Sequence, residues 1–438
     1  MEVQIMMMLG AFFVLLILGF PVAIAIATAG FVFGFTGFEG KLFALVPHRI
    51  YGVISKYEFI AIPLFVFMGV ALERSRIAED LLTVIGYAMG GLRGGLGIAI
   101  VLCGVLLGAA TGIVGATIVT LTLLTLPILL ARGYSKSLSC GLICASGTLG
   151  QIIPPSLVLI LMADIVGLSV GTLFAAAFIP GLLLAVLFVA YLLLLAVFQP
   201  KMVPAIDAEE RAQVDTKQLL KKMVFVVLPP MALVVFVLGS IIGGIAAPTE
   251  AASIGASGAI AIAALYGRLN LKLIKDTTRT TLIISSMIFF ILLTSQVFSI
   301  AFRGLGGEHF VKGLFVNVPG EVNGAILFLL LIIFVLGFFM EWIEISYIAL
   351  PIMLPFFHAA GVDMVWLAML IAVILQTSFL TPPFGWSLFF LQGVAPPEIR
   401  MKDIYIGVLP FIGIQLFVVA LVFVYSDLVL WLPRLIGW

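Results

Sequence analysis

Two short polar segments interrupt an otherwise apolar chain, and their residue types suit a dehydrated cation. The first runs Ser146-Gly147-Thr148-Leu149-Gly150-Gln151-Ile152-Ile153-Pro154-Pro155-Ser156. The second runs Gln376-Thr377-Ser378-Phe379-Leu380-Thr381-Pro382-Pro383-Phe384-Gly385. Proline lacks an N–H and restricts the residue before it, and glycine weakens a helix further, so each segment is expected to be an unwound break partway along a helix. Carbonyls freed inside a bilayer persist only where they are buried in protein or line a cavity. Together with the Ser and Thr hydroxyls they form sets of hard, neutral oxygens suited to sodium, while half-helix N-termini suit an anion. Two symmetric ion sites flanking an anionic substrate follow. A pair of structural kinks solvated by neighbouring helices has the same local sequence; the repetition of the pattern favours binding.

Each break has a glycine-flanked companion some 40 residues earlier: Gly108-Ala109-Ala110-Thr111-Gly112-Ile113-Val114-Gly115 and Gly337-Phe338-Phe339-Met340-Glu341-Trp342-Ile343-Glu344. Glycine permits a tight reversal, so these read as tips of re-entrant hairpins, with the Thr111 hydroxyl at one apex. Glu341 and Glu344 either face a site, as intramembrane carboxylates commonly do, or are wetted at an interface. Asp164, close to Gly167, reads as an interfacial carboxylate. Trp342 and Trp386 either shape a cavity or anchor at an interface.

The elements that position these segments are membrane helices. Of 438 residues, 63% are apolar and 10% charged, against about 25% charged in a soluble domain. Eleven charge-free stretches of 17 or more residues occur, among them 3 to 38, 94 to 131, 165 to 200 and 364 to 397, and roughly 20 apolar residues span a bilayer. The chain is therefore an all-α polytopic membrane protein, which excludes a cytoplasmic enzyme and a secreted disulfide scaffold. A net charge of +1 from 22 basic and 21 acidic residues offers no patch for nucleic acid. Cys103, Cys140, Cys144, His48, His309 and His358 do not cluster, so transition-metal ligation is not expected. Gly167-Leu168-Ser169-Val170-Gly171 fits G-x-S-x-G but lies between helices, with no strand to build a nucleophile elbow. Pro248-Thr249-Glu250 reads as a helix start. The apolar run that opens the chain is about twice a signal-peptide core and is expected to remain as a transmembrane segment.

Only 201–222 is polar at length, and it halves the chain. An offset of 228 residues aligns Pro127 with Pro355, Gly133 with Gly361, and Pro154-Pro155 with Pro382-Pro383, the mark of a duplicated unit. The first repeat, 1–200, is expected to hold scaffold helices within 3–72, a hairpin at 94–131, a broken helix at 137–165 and a helix at 171–199. After the linker 201–222, the second repeat, 223–438, holds scaffold helices within 223–301, a hairpin at 322–358, a broken helix at 362–395 and a helix at 404–432. Five crossings per unit make the repeats inverted, provided that 3–37 crosses twice. By the positive-inside rule the linker and Arg93, Arg132, Lys136, Arg268, Lys272, Lys275, Arg279, Arg400 and Lys402 are cytoplasmic. Lys41, Arg49 and Lys56 fall outside and fit that rule poorly.

At these motifs the chain resembles the large membrane subunit of the tripartite ATP-independent periplasmic (TRAP) transporters over nearly its full length. The carriers are the Gly108 to Gly115 tip, Pro127 with Gly133-Tyr134, Gly147 to Ser156, Leu173-Phe174 with Pro180-Gly181, Pro248 to Ala252, and Thr381 to Gly385. Thr111 to Thr117 is similar to the branch often labelled for mannitol or chloroaromatic compounds. The resemblance implies a sodium-driven elevator-type importer in the bacterial inner membrane. It implies two or more Na+ and no organic cofactor, and as partners a small four-helix membrane subunit, a periplasmic substrate-binding protein and a small organic anion, expected to be a carboxylate. It places one sodium among Thr111, Gly112, Ser146, Gly147, Gly150, Ile153 and Pro154, and another among Gly337, Met340, Glu341, Thr377, Ser378, Thr381 and Pro382. Substrate would meet Thr111, Thr148, Gln151, Ser156, Glu341, Thr381 and Gly385. Where the family usually has Phe-Met-Asp this chain has Phe339-Met340-Glu341, and for Ser-Gly-Ser-Ser it has Thr111-Gly112-Ile113-Val114, so backbone carbonyls must supply more ligands. A self-sufficient sodium/dicarboxylate symporter or ion antiporter of related architecture is the alternative.

Overall fold

The computed structural model describes residues 2–38, 41–112, 114–206 and 215–437; the side chains of Phe38, Leu42, Ala110, Thr111 and Thr216 lie outside that description. All its regular elements are helical, with six helices long and apolar enough to cross a membrane, or up to nine when each bent pair is taken as one span.

The first repeat opens with α1 (Glu2–Ile17) and α2 (Val22–Phe38). Gly19, at φ +84°, ends α1 in the left-handed conformation that glycine alone adopts at little cost, and Pro21 starts the next helix. Phe12 and Gly30, equally far from Pro21, both pack on Phe298, so α2 folds back along α1 and 3–37 is two helices. Next come α3 (Val46–Ile54) and α4 (Ala61–Arg74), bent by 59°, and the amphipathic α5 (Ile77–Met89). The hairpin is α6 (Gly95–Thr111) and α7 (Val114–Ala131). The broken helix is α8 (Lys136–Thr148) and α9 (Leu157–Val166), and α10 (Val170–Phe198) ends the unit.

The second repeat follows the same plan: α11 (Thr216–Ile242), α12 (Pro248–Leu265), α13 (Leu271–Gly304) and the short α14 (Gly307–Val316). Its hairpin is α15 (Glu321–Leu336) with α16 (Trp342–Ile348) and α17 (Leu350–Ala359), its broken helix α18 (Met364–Leu380) and α19 (Trp386–Gln392), and it closes with α20 (Met401–Val424) and α21 (Asp427–Leu435). The Pro154-Pro155 and Pro382-Pro383 bonds are both cis. The bent α3–α4 pair corresponds to the continuous α13 of 34 residues. The segment from Lys272 to Arg279 is helical, and polar contacts tie this end of α13 to the first repeat: Arg268 meets Asp80 at 2.7 Å, and Arg74 meets Asp276 at 3.7 Å and Thr280 at 2.9 Å.

Those contacts also fix the relation between the repeats. Arg74, at the end of α4, lies against the start of α13, whereas Gly52 and Lys56, just before α4, share a cavity with Leu292 and Gln296 towards the end of α13. Equivalent helices thus run antiparallel, and the repeats are inverted. Helices α2 with α13, and α4 with α12, pack as matching pairs across the repeats. They form one layer; the hairpins, broken helices, α10 and α20 form the other.

Candidate functional site

Each hairpin tip sits directly on the break of its own repeat. Gly108 of α6 lies on Gly150 so closely that a Cβ on Gly108 would come 2.6 Å from the Gly150 backbone nitrogen. At the equivalent place in the second repeat, a Cβ on Gly337 would drive into the Ser378 side chain. Each tip is completed by the other repeat: the Phe390 ring of α19 covers Gly115, 3.0 Å from where a Cβ would be, and α9 packs on α16. The two tips and two breaks thus form one assembly of four parts.

At the first break Ser146, Gly147, Thr148, Gly150, Gln151, Pro154 and Ser156 are all buried, and Ile153 partly so. Gly112, at φ +60°, ends α6 against Leu157. The Thr111 backbone closes α6, and its side chain lies outside the described residues. Two polar groups here are unspent: the Ser146 hydroxyl and both ends of the Gln151 amide are buried with no hydrogen-bond partner among the described residues. Ser156 donates to the Gln151 carbonyl at 2.5 Å. Unpaired buried polar atoms cost about 1–3 kcal/mol each, so their clustering at a break marks a place equipped for a ligand.

At the second break the hydroxyls donate backward along the chain: Thr377 to the Val373 carbonyl at 2.8 Å, Ser378 to Leu375 at 2.9 Å and Thr381 to Thr377 at 2.7 Å. Each oxygen keeps lone pairs for a cation. Thr381 and Pro382 are half-buried, Pro383 and Phe384 are exposed, and Gly385 is buried at the start of α19. In the tip above, Met340 is buried, and the Phe339 and Phe384 rings lie 5.8 Å apart. The two carboxylates have different surroundings. Glu344 accepts the Glu341 backbone N–H at 2.9 Å, capping α16, while Glu341 is half-buried at the helix start.

Four contacts at and around the site were not legible in the sequence. Gln376 Nε2 donates to the Thr148 hydroxyl at 3.4 Å, between residues 228 apart, so the bond joins symmetry-equivalent positions of the two repeats. Gln415 Nε2 reaches the same hydroxyl at 3.5 Å, and Thr148 itself donates to the Ala145 carbonyl at 2.8 Å. A lone amide in an apolar helix was the available signal for Gln415. Across the two layers, Thr120 of α7 donates to Glu73 of α4 at 3.0 Å, and Asp164 pairs with Lys56. Elsewhere, Ser169 caps α10, accepting the Thr172 N–H at 3.0 Å, and Glu250 accepts the Ala247 N–H at 2.9 Å at the start of α12.

A family model described as the tripartite ATP-independent periplasmic transporter, DctM component, matches residues 9–428. The ectoine TRAP transporter large permease protein TeaC of Halomonas elongata is 29% identical, over 96% of this chain and 97% of its own. The C4-dicarboxylate TRAP transporter large permease protein DctM of Vibrio cholerae is 27% identical, over 96% of each. Among solved structures, the YdaH transporter of Alcanivorax borkumensis superposes with a TM-score of 0.61 over 88% of each chain at 14% identity, a likeness of fold.

Proposed function

The chain belongs to the DctM component family of the tripartite ATP-independent periplasmic transporters, and from that premise we propose that it imports a small organic anion together with sodium across the bacterial inner membrane. A small four-helix membrane subunit and a periplasmic substrate-binding protein complete the system. The observation that carries the reading is the paired contact of tip and break, with the buried Ser146 hydroxyl unpartnered at one of them. An oxygen set that lacks internal partners is suited to a hard cation. The positive-inside rule puts the Arg74, Arg132 and Lys136 face in the cytoplasm and the Lys56 and Asp164 face outside.

Sodium at the first break would draw on Gly112, Ser146, Gly147, Gly150, Ile153 and Pro154, and with them the Thr111 carbonyl. At the second it would draw on Gly337, Met340, Glu341, Thr377, Ser378, Thr381 and Pro382. Filling these positions holds each tip on its break and offsets the charge of an anion between them. The anion meets Gln151, Ser156, Glu341, Thr381 and Gly385; the Thr148 hydroxyl, already engaged by Ala145 and two glutamines, holds the breaks together. The hairpins and broken helices then move as one body along α2, α4, α12 and α13, in the manner of an elevator. The relatives carry ectoine and C4-dicarboxylate in their names, and neither name points to mannitol or a chloroaromatic compound; a small carboxylate is the cargo proposed.

The test is uptake of a panel of carboxylates into proteoliposomes, with each protein and the inward sodium gradient omitted in turn. Uptake that needs all three proteins and sodium is the expected result; uptake by this chain alone makes it a self-sufficient symporter. Ser146→Ala and Thr377→Ala should each raise the sodium concentration for half-maximal uptake about tenfold, the loss of one cation ligand costing about 1.5 kcal/mol. An unchanged sodium dependence in both variants removes the ion sites from the breaks.

A further inference from the structure

The two layers border an open cavity on the Lys56 face, with the exposed side chains of Arg49, Lys56 and Arg303 at its mouth. Its deeper part, about 160 Å³, is lined by Arg49, Asp164, Gln296, Ser299, Arg303 and Tyr347. It shares Arg49, Asp164 and Gln296 with an outer part of about 430 Å³ that also reaches Lys56. The deeper part has room for about five waters, the size of a small carboxylate.

Its chemistry is that of an anion site. Arg49 has no hydrogen-bond or ion-pair partner among the described residues. Arg303 is held by Glu308 at 3.5 Å and the Pro351 carbonyl at 3.2 Å, which leaves guanidinium N–H groups free. Tyr347 is 4% exposed, and its hydroxyl, buried at the cavity wall, has no hydrogen-bond partner among the described residues. A buried O–H without an acceptor, beside an unpaired guanidinium, lacks the partner that an anion supplies. The one carboxylate lining the cavity, Asp164, is paired with Lys56.

The cations are also not a by-product of duplication. The inverted repeat puts a counterpart of this cleft on the opposite face, where two cations, Arg74 and Arg76, are matched by two carboxylates, Glu73 and Glu79, beside Thr120 and Thr280. At an offset of 228 residues, Arg49, Lys56, Arg303 and Tyr347 correspond to Thr277, Ile284, Ser75 and Val119. Only the Lys56 face has acquired three cations and a hydroxyl around one carboxylate. Two of them, Arg49 and Lys56, are among the basic residues that fit the positive-inside rule poorly, and a ligand explains their presence.

We propose that this cavity is a carboxylate-binding vestibule in which an incoming anion pairs with Arg49 and Arg303 and accepts a hydrogen bond from Tyr347, with Asp164 as the competing internal anion. It lies on the route from outside to the hairpin tips, so it rests on the transport reading for its orientation but not for its binding chemistry. Sodium has no part in it.

The test is calorimetric titration of the full chain in phosphatidylcholine nanodiscs, in sodium-free potassium buffer, with succinate and acetate as probes. Saturable binding without sodium is expected, weakened roughly tenfold by Arg49→Gln and by Tyr347→Phe, the latter a change of one hydroxyl with the ring kept. Asp164→Asn should tighten binding severalfold by removing the competing carboxylate, a gain that misfolding cannot produce. No sodium-independent binding, or affinities untouched by Arg49→Gln and Tyr347→Phe, overturns the vestibule. Should sodium-driven uptake fail while this binding and its variants behave as stated, the transport reading falls and the vestibule stands.

Discussion

Gly108→Val is expected to abolish uptake, reducing it by more than about a hundredfold, while Gly413→Ala leaves it intact. The reason is what a side chain would strike. At Gly108 a Cβ meets the backbone nitrogen and Cα of Gly150, and neither can rotate away. The hairpin must then lift from the break, and overpacking of this kind costs about 1–3 kcal/mol even where the surroundings relax. Ion ligation is more sensitive than stability, because ligand distances tolerate only about 0.2 Å, and a hairpin raised to clear an isopropyl group moves further than that. At Gly413, by contrast, nothing lies within 4 Å of the added carbon. Gly337→Ala provides the graded case. Its Cβ meets the Ser378 hydroxyl, which can swing aside by giving up its bond to the Leu375 carbonyl, and the Ser378 Cβ at 2.7 Å, which only a small shift of tip against break relieves, so partial uptake with a weakened sodium dependence is expected. Uptake measured beside the yield of monodisperse protein separates a lost site from a lost fold. Full activity of Gly108→Val would mean that tip and break need not touch.

The arrangement behind that expectation was legible in the sequence for a physical reason. Glycines and paired prolines are costly within membrane helices, so where they recur at a fixed offset they mark positions that the backbone requires. The Pro154-Pro155 and Pro382-Pro383 pairs fall at both breaks; the charge-free run 94–131 coincides with α6–α7, while the segment matching α15–α17 is interrupted by Glu341 and Glu344. The bend between α16 and α17, 54° at Ala349, was not foreseen, although Pro351 beside it is the residue that the first hairpin lacks.

What the sequence hid falls into two kinds. Helices α3, α5 and α14 escaped because charge-free length finds spans, whereas these are amphipathic. In α5, Ile77, Ala78, Leu81, Val84 and Ile85 are buried while Glu79 and Asp80 lie on the first turn, a 3.6-residue pattern that the charges masked. The second kind is pairing across great sequence distance. Lys56 with Asp164, Glu73 with Thr120, and Thr148 with Gln376 and Gln415 depend on how the layers and repeats dock, which no local pattern encodes. Thr148 shows the difference best. The family resemblance implied a substrate contact there, whereas its hydroxyl is buried and bonds the Ala145 carbonyl and two glutamine amides.

Thr148→Val is accordingly expected to destabilise the protein by about 2 kcal/mol and to disturb both breaks together. Valine keeps the shape but removes the oxygen that, among the described residues, two buried amide groups bond, Gln376 Nε2 and Gln415 Nε2. The carbonyl oxygens of both glutamines also lack partners among the described residues, so both amides are already poorly satisfied and losing the Thr148 hydroxyl strands their N–H groups as well. Both bonds are long, at 3.4 and 3.5 Å, which keeps the expected loss below that of two ideal ones. Gln376→Leu should cost less, because it deletes an amide that is half unsatisfied and leaves Thr148 bonded to the Ala145 carbonyl. In the double variant the amide stranded by valine is gone, so the loss should be smaller than the sum of the singles by at least about 0.5 kcal/mol, the mark of residues in one network. Thermal or denaturant unfolding in a fixed detergent measures the cycle. Additive losses would show that the bond joining the two repeats at equivalent positions is a contact without energy, and that the breaks are held in register by packing alone.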